Sequence, residues 1–408
     1  MHVVAAYGNR CLAVAFCVWY GMFKISCLYL KISVPLQEDI TISNMKCITL
    51  IAGARPNFMK IAPLIHAVEK AQANGIELSY RLVHTGQHYD KNMSDTFFDE
   101  LHIPTPNVNL GCGGGSQAEQ TAAIMVAFEQ ELSENPTDLV VVVGDVTSTM
   151  ACSIVAKKMN TKVAHVEAGI RSYDMTMPEE INRMVTDAIA DYFFTTTHQA
   201  SNNLLNAGID AKRIFFVGNV MIDTLLANIE RFRKPDIYTQ LELHEKRYLM
   251  LTLHRPANVD ETMHLKKMMH EIVQNANGLP IVFPIHPRTA KLFATAGITA
   301  QNLNVVAPMG YLEFNYMVKH ALGVITDSGG ITEETTVMGI PCITLRNNTE
   351  RPETCEIGTN ELIGTNPDNI APALKLLLSG QWKKGGIPEL WDGKAAERIV
   401  NIVANLTL

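Results

Sequence analysis

The sequence lacks most of the short motifs by which common enzyme classes are identified. None of its eight cysteines forms a CxxC pair, which argues against a zinc ribbon or a disulfide framework and favours a reducing compartment, the cytoplasm. A Walker lysine motif, GxSxG and HExxH are also missing, and the glycine-rich run at 111–116 lacks the last glycine of GxGxxG. We therefore expect no cofactor, no metal, no serine nucleophile and no ATP hydrolysis.

Basic residues are few as well. The chain has 34 Lys and Arg against 41 Asp and Glu, a formal net charge of -7. Without a broad basic surface, nucleic acid is not an expected partner, although a local cluster of cations can still hold a small anion. A length of 408 residues suits two or three ordinary globular domains.

One long apolar run occurs, from Cys11 to Leu30, and Lys24 interrupts it. A signal or anchor helix is one interpretation, because about 20 apolar residues can span a bilayer. We favour the other, an upstream extension that results from a misplaced start, since no A-x-A-like cleavage site follows and Met45 opens a clean strand. We therefore predict that residues 1–44 are not part of the fold and that the catalytic part has no membrane partner.

From Met45 onward, apolar β-rich runs alternate with helical stretches such as Lys60–Ala73 and Gln117–Leu132. The runs are 47–53, 79–86, 138–145, 162–169, 191–197, 213–219, 247–254, 279–287, 302–308, 321–330 and 341–346. This alternation predicts parallel sheets covered on both faces. The polar stretch 230–246 divides it into two series, which predicts two doubly wound Rossmann-like α/β domains facing a central cleft. We place them at 45–221 and 222–388, with a C-terminal helix in 389–408 that packs back on the first domain.

Two glycine turns precede helices. In the first, residues 53–56 (GARP) lead to Lys60, a pattern that suits a diphosphate but also marks a plain helix start. In the second, residues 327–330 (DSGG) separate a buried strand from a helix, so that backbone and hydroxyl can approach a phosphate. Glu333 and Glu334 in the next turn either complement the helix N-terminus or accept ribose hydroxyls.

Acidic residues follow successive strands of the first series: Asp145, Glu167 and the pair Glu179-Glu180. A single carboxylate there often bonds turn N–H groups, but three share one edge of a parallel sheet. Arg171 and Arg183 lie close by and pair either with these acids or with a ligand phosphate. Strands of the second series end in His254-Arg255 and in residues 286–288 (HPR), which would face the acids across the cleft.

Together these segments resemble the non-hydrolysing UDP-N-acetylglucosamine 2-epimerases, which have the two-domain GT-B fold. The match runs from Met45 to the C-terminus, and its specific part is HVEAGIRS (165–172) followed by PEEINR, then DSGG and TERPET (349–354). The resemblance implies a homodimer that interconverts UDP-N-acetylglucosamine and UDP-N-acetylmannosamine for surface polysaccharide synthesis. It implies Asp145, Glu167 and Glu179 as acid/base carboxylates with His254 assisting. The residues implied in substrate binding are Arg55, Lys60, Arg171, Arg183, His286, Ser328, Gly329, Gly330, Glu334 and Arg351.

The chain departs from the family pattern in three places. It has Ala54 and Asn57 where GTRPE is usual, HRPAN (254–258) where HRREN is usual, and Tyr89-Asp90 after Gln87-His88 where a QHR-type segment occurs in members activated by their substrate. The last departure removes the sequence support for activation at a second site. The proposed catalytic set is intact.

The chemistry explains why several acids are needed. C2 of the sugar is not next to a carbonyl, so inversion requires transient oxidation or elimination of the group on C1. Without a dinucleotide fingerprint we expect elimination of UDP to 2-acetamidoglucal, with Asp145 as the base, and re-addition with a proton delivered to the other face. The alternatives are a hydrolysing epimerase, which usually has EGGE where this chain has EAGI (167–170), a GT-B glycosyltransferase and a non-catalytic nucleotide-sugar sensor.

Overall fold

The computed structural model describes residues 2–8, 11–17, 28–30, 45–86, 97–285, 290, 292–293 and 296–408. The chain divides into two units, Met1–Asn44 and Met45–Leu408. In the first unit, strand Cys11–Cys17 pairs antiparallel with His2–Gly8 and with Leu28–Leu30. A strand thus lies where the anchor interpretation places a helix. Among the described residues, no helix combines the length and apolar character needed to cross a membrane.

Two all-parallel sheets form the second unit. The first has, in spatial order, Ile214–Phe216, Tyr192–Thr195, Lys162–Val166, Leu139–Val143, Lys46–Ala52, Leu78–His84 and Val108–Asn109. The second has Leu303–Val306, Ile281–Pro284, Leu249–Thr252, Gly323–Thr326, Cys342–Thr344 and Asn360–Leu362. The predicted pair of parallel sheets is confirmed. We call the seven-stranded sheet and its helices the first lobe, and the six-stranded sheet and its helices the second lobe.

Helices connect the strands of each lobe. Those of the first lobe are Arg55–Ala73, Gln117–Glu134, Thr147–Lys158, Pro178–Ile189 and His198–Asn206. Those that follow are Val220–Asn228, Asp236–Gln240, Pro256–Val259, Thr262–Asn275, Tyr311–His320, Gly329–Met338, Pro352–Glu356, Ile370–Leu378 and Ala395–Asn405. Short 3₁₀ turns lie at Ala211–Arg213, Ile229–Arg231 and Pro367–Asn369.

Each sheet is buried on both faces, because its strands are apolar at almost every position. In the central strand Leu139–Val143, Leu139, Val141 and Val143 belong to the core on one face, and Val140 and Val142 to the core on the other. Strands of the second lobe divide in the same way between two cores. Since side chains alternate along a strand, continuous apolar runs are what a sheet between two helix layers requires.

The last helix, Ala395–Asn405, packs on the first lobe. Its Ile399, Val400 and Val403 join the core that also holds Ile61 and Val68 of helix Arg55–Ala73. The chain therefore leaves the first lobe near Val220 and returns to it at its end. The domain bounds 45–221 and 222–388 stay a prediction.

Candidate active site

A cavity of about 360 Å³ lies between the two lobes. In doubly wound sheets the carboxyl ends of the strands carry the ligand site, and Asp145, His254 and Ser328 each follow a strand at that end. Predicted site residues make up much of the lining, namely Lys60, Asp145, Glu179, His254, Ser328, Gly329, Gly330, Glu334 and Arg351. The structure thus brings acids of the first lobe and the glycine turn of the second to one cavity.

A line of four charged side chains joins the lobes beside this cavity. Glu167 accepts hydrogen bonds from Lys60 Nζ at 2.5 Å and from Arg351 Nη2 at 3.0 Å. Arg351 Nε also lies 2.7 Å from Glu333 Oε1, which accepts a further bond from Asn219 Nδ2 at 2.7 Å. Lys60 and Glu167 belong to the first lobe, whereas Arg351 and Glu333 belong to the second. The line holds two cations at the cavity wall.

Burial and neighbouring charges determine the protonation of the two carboxyl groups in this line, Glu167 and Glu333. Burial opposes the charged form of Glu167, but Lys60 and Arg351 together hold its pKa below the usual value. Glu333 is also buried, and burial raises its pKa to about 7 in spite of Arg351. When Glu333 holds a proton, the four side chains carry one net positive charge, which favours an anionic ligand.

Local backbone geometry aims Glu167 at its partners. Glu167 has φ +69°, a left-handed conformation that residues with a Cβ seldom adopt. Its carboxylate turns back over Gly144, where an added Cβ would lie 3.2 Å from both Glu167 Oε2 and Lys60 Nζ. Gly144 itself has φ +71°. A side chain at position 144 would therefore be strained and would crowd the Lys60–Glu167 pair.

The other acids of the first lobe differ in their contacts. Asp145 accepts a hydrogen bond from Arg183, whose guanidinium also bonds Glu180 Oε2 at 2.6 Å. Glu180 is fully buried and accepts bonds from the backbone N–H groups of Ser172 and Tyr173. Glu179 lines the cavity, and within the described part of the chain no hydrogen bond or ion pair engages its carboxylate.

His254 is held by a buried aspartate. Its Nδ1 lies 2.9 Å from Asp327 Oδ1, and its imidazole is 53% exposed. Asp327 also accepts the backbone N–H of Arg255 and the Nδ2–H of Asn258. Burial opposes ionisation of Asp327, but these bonds hold its pKa below the usual value. The arrangement fixes Nδ1 against Asp327 and leaves Nε2 for a ligand.

The DSGG turn opens helix Gly329–Met338, and the Ser328 hydroxyl makes no capping bond to it. This hydroxyl and the free N–H groups of the first helical turn are suited to phosphate oxygens. The carboxylate of Glu350 lies beside Gly329 and pairs with Arg346 at 2.5 Å. Although burial opposes its ionisation, Arg346 lowers the pKa of Glu350 to about 2.

Glu334 lies one helical position beyond Glu333 and has different partners. It accepts a hydrogen bond from the Tyr311 hydroxyl at 2.9 Å and a longer one from Asn315 at 3.4 Å. Burial raises its pKa to about 7. Since no cation pairs with it among the described residues, it is suited to exchange hydrogen bonds with neutral hydroxyls.

Several predicted residues lie elsewhere. Arg183 is buried behind Asp145, and Arg171 pairs with Asp187 at 2.6 Å and lines a second cavity. Glu167 stands behind the wall with both oxygens occupied. The Arg55 side chain and His286 lie outside the described residues, as does the segment that follows Gly86. Within the described ranges no cluster of three His, Cys, Asp or Glu side chains is suited to a metal.

The sequence analysis missed the residues that orient the site: Asp327, Asn258, Tyr311 and Asn315. Asp327 was visible as part of DSGG, but only the strand pairing of Leu249–Thr252 with Gly323–Thr326 brings it under His254. No motif indicates Tyr311 or Asn315. The assembled site can hold an anion between cations of both lobes, with an unengaged carboxylate facing it.

Comparisons with known proteins agree with this geometry. The family model described as UDP-N-acetylglucosamine 2-epimerase matches residues 69–404. A UDP-N-acetylglucosamine 2-epimerase of Methanocaldococcus jannaschii is 40% identical over 368 residues, which cover 87% of this chain and 98% of the relative. The crystal structure of the M. jannaschii UDP-GlcNAc 2-epimerase with UDP-GlcNAc and UDP aligns with a TM-score of 0.79, at 40% identity, over 88% of this chain and 99% of that one.

A further relative has a different name. The UDP-2,3-diacetamido-2,3-dideoxy-D-glucuronate 2-epimerase of Pseudomonas aeruginosa is 36% identical over 366 residues, covering 89% of this chain and all of the relative. Both names specify inversion at C2 of a UDP-linked acetamido sugar. The predicted GT-B-type fold and the predicted family are confirmed, and this chain belongs to the UDP-N-acetylglucosamine 2-epimerase family.

Proposed function

We propose that this chain interconverts UDP-N-acetylglucosamine and UDP-N-acetylmannosamine. The proposal rests on one observation: Asp145 and Glu179 of the first lobe share a cavity with His254, Ser328 and Glu334 of the second lobe. A nucleotide diphosphate would lie against the DSGG turn, and the sugar would project towards the carboxylates. An acid/base pair is thereby available where C2 must be inverted.

The proposed reaction is elimination followed by re-addition. A carboxylate takes the C2 proton while the C1–O bond breaks, the C2–H electron pair forms the C1–C2 double bond, and UDP leaves with the C1–O pair. A proton then returns to C2 from the opposite face as a UDP oxygen adds to C1. Lys60, Arg351 and His254 would stabilise the charge on the departing UDP.

The contacts favour Glu179 over Asp145 as the base that acts on UDP-N-acetylglucosamine. The carboxylate of Asp145 is already engaged by a hydrogen bond from the Arg183 guanidinium. Glu179 carries no such bond. Asp145 would then deliver the proton to the other face. For Glu167 the two bonds to Lys60 and Arg351 favour a positioning role, and its acid/base role stays a prediction.

Three wider expectations belong to the same proposal. Free cysteines in the described part of the chain suit the cytoplasm. Exposed apolar side chains on the two helices that pack against helix Thr147–Lys158, namely Val126, Ile181 and Met184, suit a homodimer interface. A product that is an activated acetamido sugar suits polysaccharide synthesis.

The test is an incubation of residues 45–408 with UDP-N-acetylglucosamine in D₂O with EDTA, followed by NMR. UDP-N-acetylmannosamine that carries deuterium at C2 is the expected result, and the Glu179→Gln variant should show neither exchange nor product. Free N-acetylmannosamine with UDP would instead indicate the hydrolysing reaction. Unchanged substrate without exchange would contradict the proposal and favour a transferase or a sensor.

The same assay decides between the two sugars that the relatives' names specify. UDP-2,3-diacetamido-2,3-dideoxy-D-glucuronate is offered in parallel, and kcat/KM is compared. We expect the N-acetylglucosamine compound to be preferred, because the carboxylate of Glu179 lines the cavity without a cation partner among the described residues and would repel a second carboxylate. Preference for the glucuronate would contradict the substrate assignment while leaving the reaction type intact.

A further inference from the structure

A second cavity of about 370 Å³ is as large as the active site and separate from it. The first lobe supplies residues 170–173, residues 196–197 and part of helix His198–Asn206 to its wall. The second lobe supplies Thr349, Glu350, Pro352, Glu353 and Glu356. Glu350 lines both cavities, so the segment that begins at Thr349 divides them. Nothing in the proposed epimerisation uses the second cavity.

An unpartnered hydroxyl lies in its wall. Thr195, Thr196 and Thr197 follow one another at the end of a strand, and the outer two are bonded: Thr195 Oγ1 to the hydroxyl of Ser201, and Thr197 Oγ1 to the backbone N–H of Ala200. Thr196 is 2% exposed, lines the cavity, and its Oγ1 is a buried oxygen without a partner among the described residues. A buried hydroxyl left unbonded destabilises a fold, so a ligand that bonds it would explain its presence.

The charges of the wall restrict the ligand. Arg171 is neutralised by Asp187 and Glu350 by Arg346. Glu353, which is buried, and Glu356, which is exposed, have no Lys, Arg or His nitrogen within salt-bridge distance in the described part of the chain. The rest of the wall is mainly hydroxyl and amide side chains, including Ser172, Gln199 and Asn203. This excess of negative charge disfavours nucleotides and other anions.

We propose that this cavity is a second ligand site for a sugar-sized, hydroxyl-rich amine, which Thr196 and Glu353 recognise. The hydroxyl and amide groups would bond ligand hydroxyls, and Glu353 would pair with the ammonium. A divalent cation is a poorer candidate, because no three ligating side chains converge within the described residues. A ligand here would touch both lobes and would lie against the segment that carries Arg351.

The test uses glucosamine as the probe and N-acetylglucosamine as its neutral counterpart. Calorimetric titration of the full chain with UDP present, at about pH 6.5 where amines are protonated, is expected to show glucosamine binding at least tenfold more tightly. Thr196→Val, which keeps the shape of the side chain, should weaken glucosamine at least tenfold while leaving the affinity for UDP within twofold. Its Tm should be equal to or above that of the wild type, since an unbonded hydroxyl has been removed.

Two further variants make the outcome decisive. Thr239→Val removes an exposed hydroxyl and should change neither affinity, whereas Glu353→Gln should weaken glucosamine as Thr196→Val does. Equal binding of the two sugars, no binding of glucosamine, or loss of glucosamine binding in Glu179→Gln with retention in Thr196→Val would each overturn the proposal. Failure of the epimerase assay would not bear on it, because the two sites share no tested side chain.

Discussion

Glu179 and Glu180 are neighbours in the chain, yet their surroundings are opposite. Glu180 is fully buried and bonds the loop at Ser172 and Tyr173 as well as Arg183. Glu179 faces the cavity without a bond among the described residues. Helix Pro178–Ile189 begins just before them, so a rotation of about 100° per residue sends one carboxylate into the core and the other to the ligand.

This difference predicts that substitution of Glu179 impairs catalysis, whereas substitution of Glu180 impairs stability. Glu179→Gln should lower kcat by about 10²–10⁴-fold with little change in stability, because it removes one acid/base group. Glu180→Gln should instead lower the free energy of unfolding by about 3 kcal/mol, because a buried charged network loses a member. Steady-state kinetics and urea unfolding measure the two effects. The exposed Glu230→Gln is the control, and unimpaired kcat in Glu179→Gln would remove that residue from the mechanism.

Glu334 combines burial with a ligand role, and its titration tests both. The unfolded chain loses this proton near pH 4.5, whereas burial raises the folded pKa to about 7. The folded state therefore holds the proton between these values, and stability falls as pH rises through this window. A shift of this size corresponds to at most about 3 kcal/mol.

Glu334→Gln cannot ionise but still accepts the Tyr311 hydroxyl. We therefore expect it to be more stable than the wild type above pH 7, with the advantage disappearing below about pH 4.5, while its affinity for UDP falls. Thermal unfolding from pH 4 to 8 and UDP titration are the measurements. A variant that binds UDP normally would show that Glu334 serves the fold alone.

At the scale of elements, the last helix depends on a side chain from the connection between the lobes. Asp223 accepts the backbone N–H groups of Ala395 and Ala396 at 3.1 and 2.7 Å. These are orphan donors of the first turn, which a carboxylate or amide oxygen can satisfy. Asp223 thus fixes the start of helix Ala395–Asn405 against the first lobe.

Removal of this cap should weaken the docking of the helix. Asp223→Ala is expected to lower the free energy of unfolding by about 1–2 kcal/mol, whereas Asp223→Asn, which retains an acceptor oxygen, should lose less. Chemical unfolding and amide exchange of residues 395–405 measure the effect. Equal stability of the two variants would show that the cap contributes nothing.

The strands also show how much of the fold could be predicted from the sequence. Its apolar runs predicted strands such as Leu139–Val143, because a strand buried on both faces must be apolar throughout. It did not predict Val108–Asn109 or Asn360–Leu362, two short edge strands that include polar residues. Asp145 and Ser328 follow strands of the two different sheets, and the structure brings both to the lining of the cavity between the lobes. The contact of Arg351 with Glu167, 184 residues apart, has no local signal because it exists only when the lobes meet.

At the scale of the whole molecule, the line from Lys60 to Glu333 joins the two lobes. Both oxygens of Glu167 are occupied, one from each lobe, and the line is almost fully buried. Breaking a buried ion pair at one partner leaves an uncompensated charge, which is strongly destabilising. The observed arrangement of the lobes therefore depends on Arg351.

Arg351→Met should loosen the two lobes from each other. We expect a loss of about 3–5 kcal/mol in the free energy of unfolding and a wider distance distribution in small-angle X-ray scattering of the ligand-free protein. Arg233→Met, which removes an arginine from an exposed ion pair, is the control and should lose less than about 1 kcal/mol. An unchanged scattering curve for Arg351→Met would contradict the dependence.

The return of helix Ala395–Asn405 to the first lobe has a consequence for biosynthesis. Ile61 and Val68 are synthesised more than 300 residues before the side chains that cover them, which include Val400 and Val403. At about 5–20 residues per second, roughly 10–40 seconds separate translation of Val220 from that of Asn405. During that interval the nascent first lobe exposes an apolar strip. The first lobe is thus synthesised before the second lobe but is completed after it. Chaperones therefore have a defined segment to shield.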